Sequence, residues 1–122
     1  MVQAADIAGS PTAWYRPRVP WLTLVVAGLF EVVWAFALKQ SNGFTRPVAS
    51  VVTVVALIAS LLLLSLAMRS LPLGTAYTVW TGIGAIGAFL VGVAVLGEAV
   101  TPLRVGAAAL IVTGLVAMKL AD

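Results

Sequence analysis

The chain has 122 residues, of which 62% are hydrophobic and only 9% charged, and its mean hydropathy is +1.14. Soluble domains carry about a quarter charged residues, so this composition belongs to a protein that has lipid as its solvent, with no room left for a separate soluble domain. It contains no His and no Cys, which removes imidazole, thiol and the common zinc and iron–sulfur chemistries, and its net charge of +3 comes from seven basic residues scattered at the edges of apolar segments, where they act as interface anchors and form no nucleic-acid patch.

Residues 1–20 read as a polar, Pro-containing tail, expected to be mobile, with Trp14, Tyr15, Arg16 and Arg18 near the headgroups. The tail lacks the basic start, apolar run and small-residue cleavage site of a signal peptide. Residues 21–122 form the expected membrane domain. Its apolar runs cover 21–38, 47–68, about 74–96 and about 103–120, the fourth being the shortest. Each approaches the ~20 residues that a helix needs to cross ~30 Å of hydrocarbon. The linkers SNGFTRP, RSLPLG and LGEAVTP are short and rich in Gly, Pro or Asn, so neighbouring helices are expected to be antiparallel.

Glu31 is the eleventh residue of the first run, near mid-depth, and no Lys or Arg lies at similar depth in any run. A carboxylate there costs about 2.5–3.5 kcal/mol on insertion scales. Two readings meet that cost: a protonated Glu acting as interhelical glue, or a carboxyl that exchanges a proton for a cation. Helical spacing puts Leu24, Ala27, Gly28, Trp34, Ala35 and Leu38 on the same face, so small residues leave room beside the carboxyl and Trp34 offers an aromatic wall.

The second run carries a sparse polar stripe of Ser50, Thr53 and Ser60. Such residues usually bond back to their own helix, and Ser60 is singled out only by its depth, comparable with that of Glu31. On the third run Tyr77, Trp80, Thr81, Gly84, Gly87 and Ala88 share a face, and Trp80 lies several residues inside the level of an aromatic belt. Gly82, Gly84 and Gly87 suit either a close helix crossing or a flexing point. The fourth run offers small residues at Gly106, Ala107, Ala108, Ala109 and Gly114 and little polar chemistry, which makes it the expected dimer seam.

Orientation is nearly balanced. Arg16, Arg18, Arg69 and Lys119 fall on one side of the membrane; Lys39, Arg46 and Arg104 fall on the other. The positive-inside rule needs a larger bias than four against three, so both orientations are open, alongside a single one set by the tail. Four helices are too few to enclose a site with access from both sides, and transporters commonly build theirs between two repeats at the bilayer midplane. No internal repeat is evident, so a homodimer supplies the second half. In an antiparallel dimer the two Glu31 carboxyls meet near mid-depth.

From Trp21 to Leu120 the chain resembles the small multidrug resistance family, proton-coupled antiparallel dimers of four-helix subunits. The stretches AGLFEVVWAFALKQSNGFTRP, LPLGTAYTVWTGIGAIGA and GEAVTPLR are similar to its guanidinium-exporter branch. The resemblance implies an all-α, dual-topology homodimer in the cell inner or plasma membrane. It implies that Glu31 is shared by proton and substrate, with Gly28, Trp34, Ser60, Tyr77 and Trp80 lining the site and helix three bending at Gly82 and Gly84. Trp34 stands where the multidrug branch typically has Gly, which favours guanidinium. In this reading Ser60 and Trp80 orient Glu31 as donors, and Trp34 and Tyr77 stack on the planar cation. The expected activity is guanidinium export, extending to singly substituted guanidinyl cations, in exchange for protons. No cofactor or metal is expected, and one buried acid without His or Cys makes a poor enzyme. Two rivals stand beside it: an exporter of apolar quaternary ammonium ions, and an accessory membrane subunit whose Glu31 is glue.

Overall fold

The computed structural model describes residues 18–121. Of the tail, residues 1–17 lie outside the described residues, and with them the expected headgroup positions of Trp14, Tyr15 and Arg16. Four helices follow in order: α1 Arg18–Gln40, α2 Pro47–Ala67, α3 Leu73–Ala94 and α4 Pro102–Ala121. All four are long and apolar enough to cross a membrane, and the shortest, α4 at 20 residues, covers about 30 Å at 1.5 Å per residue.

The helix boundaries follow local chemistry. α1 starts three residues ahead of its apolar run, because Pro20 in the first turn removes only an N–H that has no intrahelical partner. α2 opens on Pro47, α3 directly follows Pro72, and α4 opens on Pro102. Thr101 caps α4, its Oγ1 accepting the Arg104 N–H at 3.1 Å. α1 ends in a turn in which Asn42, Gly43 and Phe44 all have positive φ. Ser41 ties it together: its Oγ donates to the Leu38 carbonyl at 2.7 Å and accepts the Phe44 N–H at 3.1 Å.

α1 packs closely along α2 and α3, α4 leans on α3, and α2 and α3 touch only sparsely. The core lies towards the end where α1 begins. There Leu24 and Ala27 of α1 meet Leu64 and Ala67 of α2, Leu71 of the connection, and Ala76, Val79 and Trp80 of α3. At that same end Lys119 sits 4.5 Å over the Trp21 ring. At the opposite end Lys39, Glu98 and Arg104 border one cavity of about 320 Å³. Helix polarity therefore alternates, and the basic residues in the described range divide between the two ends as the sequence predicts. α4 contributes no buried residue.

Candidate functional site

Where α1 crosses α3, glycines let each helix receive the other's side chains. A Cβ at Gly28 would strike Ile83, and one at Gly87 would strike Val32. At Gly84 all three of the nearest atoms belong to Glu31: Cγ, Cδ and Oε1. The Glu31 carboxyl thus rests on bare α3 backbone. Its Oε1 is buried and has no hydrogen-bond partner among the described residues. Glu31 and Trp34 are half-buried, and Trp34 Nε1 is likewise buried without a partner.

Ser60 and Trp80 are brought together, but not on Glu31. Ser60 is fully buried. Its Oγ donates across to the Ala27 carbonyl of α1 at 2.7 Å, and it accepts the Trp80 Nε1–H at 2.9 Å. In the single subunit their hydrogen bonds run to the backbone and to each other. The Ala27 carbonyl stands one turn before Glu31, so the pair fixes the backbone that carries the acid and does not touch the acid itself. The physical reason is supply: a buried hydroxyl has one proton, and a carbonyl within reach of α2 takes it. Ser50 and Thr53 behave as residues of their type usually do, donating back to Arg46 and Ala49 of their own stretch at 2.6 and 2.7 Å. Only Ser60 of the stripe crosses between helices.

Tyr77 reaches Trp80, with ring centroids 5.4 Å apart and planes tilted by 48°. It is 52% exposed and borders a cavity between α3 and α4 together with Gly82 and Leu115. Gly28 is buried under Ile83, so in the single subunit it serves the helix crossing and opens no space beside the carboxyl. α3 runs unbroken through Gly82 and Gly84. Gly82 faces the other way, where a Cβ would meet Leu115 of α4.

Sequence reasoning missed three things. The role of Ala27 is a carbonyl, which no residue type announces. Ile83, between Gly82 and Gly84, is the knob that fills the space above Gly28, a role its residue type does not announce. The third is the cluster at the far end: Arg104 pairs with Glu98 at 3.4 Å, bonds the Ala99 carbonyl and sits 5.2 Å over the Phe89 ring. The signal available for it was the Glu98–Arg104 spacing in GEAVTPLR. The cavity it borders begins at Ala35, one turn beyond Glu31 on the same face.

Four spanning helices arranged about one mid-depth carboxyl define a small multi-pass membrane transport protein. Residues 19–111 match the family described as Small Multidrug Resistance protein, and the chain belongs to that family. It is 57% identical over 100 residues to the protein named guanidinium exporter in Escherichia coli O6:H1 (strain CFT073). It is 56% identical to the one in Escherichia coli K12 and 53% to the one in Citrobacter freundii. Each comparison covers 82% of this chain and 95% of the relative. Family and helices together place the chain in the inner or plasma membrane as a multi-pass protein.

Proposed function

We propose that the chain exports guanidinium in exchange for protons, as an antiparallel homodimer whose two Glu31 carboxyls are shared by proton and cation. The observation that carries this reading is the Glu31 Oε1, buried at mid-span with no donor among the described residues. Interhelical glue requires a partner across the helix crossing, and here the facing residue is Gly84, which has no side chain to offer, while Oε1 makes no hydrogen bond. The carboxyl is instead left with its accepting capacity unspent. The relatives named guanidinium exporters supply the substrate class.

Chemistry supports that choice of cation. Guanidinium is planar with N–H donors around its edge, and a carboxylate accepts two of them side by side. Each carboxyl holds either a proton or a guanidinium, so loading one displaces the other, and the pair titrates jointly. Binding of either neutralises buried charge and permits the dimer to pass between inward- and outward-open forms, with α3 bending at Gly82 and Gly84. Trp34, Tyr77 and Trp80 supply aromatic faces for the cation. The cavity that begins at Ala35 and reaches Lys39 and Arg104 approaches the acid from one membrane side, as access from that side requires.

The test is uptake into proteoliposomes. A proton gradient is expected to drive guanidinium uptake in the wild type, and lowering the pH on both sides is expected to weaken guanidinium binding through competition. Glu31→Gln keeps the shape of the side chain and removes its titration; it is expected to leave a folded dimer without coupled transport. Normal gradient-driven uptake by that variant would falsify the proposal. Tetramethylammonium has the charge but no donor, and a site built to hydrogen-bond its ligand rejects such an analogue by about 10⁴-fold. Equal transport of the two cations would point to a quaternary-ammonium exporter.

A further inference from the structure

We propose that Gly84 is the positioning residue for the Glu31 carboxyl: its missing side chain is the seat in which the carboxyl rests, and its bare backbone sets how far the acid stands from α3. The inference rests on Glu31 as the site of proton and cation exchange and assigns Gly84 a role separate from bending.

Several glycines in this subunit are packed under a neighbouring side chain, but what lies on them differs. Gly28 lies under Ile83, Gly82 under Leu115 and Gly87 under Val32. Those three contacts are aliphatic and interlock the helices. Gly92 lies under the carboxyl of Glu98, from the α3–α4 connection; only at Gly84, among the described residues, is the covering group the mid-span acid, with Cγ, Cδ and Oε1 as its three nearest atoms. Oε1 is also the carboxyl oxygen that is buried without a hydrogen-bond partner among the described residues. A group held by hydrogen bonds would keep its position if its packing changed. This one has no such hold on that oxygen, so van der Waals contact with Gly84 is what fixes it. Gly84 is buried in a continuous stretch of α3, so the backbone beneath the carboxyl is itself held in place by helical hydrogen bonds.

A methyl group at residue 84 therefore has one escape, which is to push the carboxyl outwards. Gly87 provides the matched control. It lies one turn further along the same crossing, and there a methyl group would meet Val32, which has no part in exchange. Aspartate places the carboxyl one methylene closer to α1 and so vacates the space that a methyl at residue 84 needs.

The experiment compares five purified dimers: wild type, Gly84→Ala, Gly87→Ala, Glu31→Asp and the double variant Glu31→Asp/Gly84→Ala. Guanidinium binding is read from intrinsic tryptophan fluorescence, and assembly from size-exclusion chromatography. Gly84→Ala is expected to weaken guanidinium binding by about tenfold or more while Gly87→Ala stays within about threefold of wild type. The double variant is expected to bind within about threefold of Glu31→Asp alone. Equal losses in the two alanine variants, or a double variant no better than Gly84→Ala, would overturn the inference. If Gly84→Ala fails to assemble, assembly itself becomes the readout: Glu31→Asp/Gly84→Ala must restore it, and failure to do so overturns the inference as well. Failure of the underlying exchange reading is told apart by a different result, proton-coupled transport surviving in Glu31→Gln.

Discussion

By hydropathy α4 falls among the three helices α1 to α3, yet the subunit treats it in the opposite way. α1, α2 and α3 bury residues along their length and hold a fully buried polar contact between them, from Trp80 through Ser60 to Ala27. α4 has no fully buried residue and touches the core only through partly buried Leu115 and Met118; Leu110 is 75% exposed, and Thr113 spends its hydroxyl on its own helix at Ala109. In lipid, apolar surface alone does not bring helices together. Small residues and polar bonds do. The trio uses both devices inside the subunit, whereas the two glycines of α4 meet nothing there: a Cβ at Gly106 or Gly114 has no neighbour within 4 Å. Its packing surface is free for lipid or for a second copy of the chain.

The sharpest test of that contrast removes one hydroxyl from each region. Ser60→Ala leaves the Trp80 indole N–H buried and unpaired and is expected to cost about 1–2 kcal/mol of subunit stability. Thr113→Ala removes an exposed bond within one helix and is expected to stay within about 0.5 kcal/mol. Thermal unfolding in detergent, followed by tryptophan emission, reads both. Equal shifts in the two variants would mean that the trio is no more organised than α4.

A second test addresses what covers α4. A Cβ at Gly106 meets no neighbour within 4 Å in the subunit, and Gly106→Leu improves helix propensity. If α4 forms the proposed dimer seam, the variant should assemble about tenfold more weakly while its monomer unfolds as wild type does. Cross-linking across a range of detergent dilutions measures this, and unchanged dimerisation would move the seam to another surface.

The smallest expected effect belongs to the α3–α4 connection. Glu98 and Arg104 form an ion pair whose side chains are 41% and 38% exposed. Exposed pairs contribute about 0–1 kcal/mol, so Glu98→Gln should shift stability by no more than about 0.5 kcal/mol and leave α4 on α3. Loss of the helix–helix contact in that variant, detected as faster amide exchange in α4, would show that the connection organises the subunit more than its exposure suggests.

Much of this architecture is legible in the residues. Four runs near 20 residues, prolines at helix starts and turn residues between them place the helices to within about three residues, because in lipid the backbone must satisfy itself within each span. Glu31 is conspicuous for the same reason, since a carboxyl in hydrocarbon demands an explanation. What could not be read is which partner each polar atom takes. Ser60, Trp80 and Glu31 sit at compatible depth, and residue type allows Ser60 to serve the acid as readily as the backbone. The choice of the Ala27 carbonyl depends on the distance between α1 and α2. Glycine is the other blind spot: Gly82 and Gly84 look alike as letters, yet one lies under Leu115 and the other under the carboxyl, because they are turned about 160° apart on the α3 axis, two residues at ~100° each having been added and the remainder taken the short way round.

The turn after α1 has a mechanical consequence. Ser41 is fully buried, and its hydroxyl and backbone carbonyl together hold Phe44, Thr45 and Arg46, while Asn42, Gly43 and Phe44 stand in left-handed conformations that a swinging tether would not retain. That corner is a weld, not a joint. Any rearrangement that keeps it intact carries α1 and α2 as one stiff paddle, with Glu31 on its blade. To move against α3, that paddle has to slide along the crossing at Gly28, Gly84 and Gly87 and part the Trp80–Ser60 hydrogen bond.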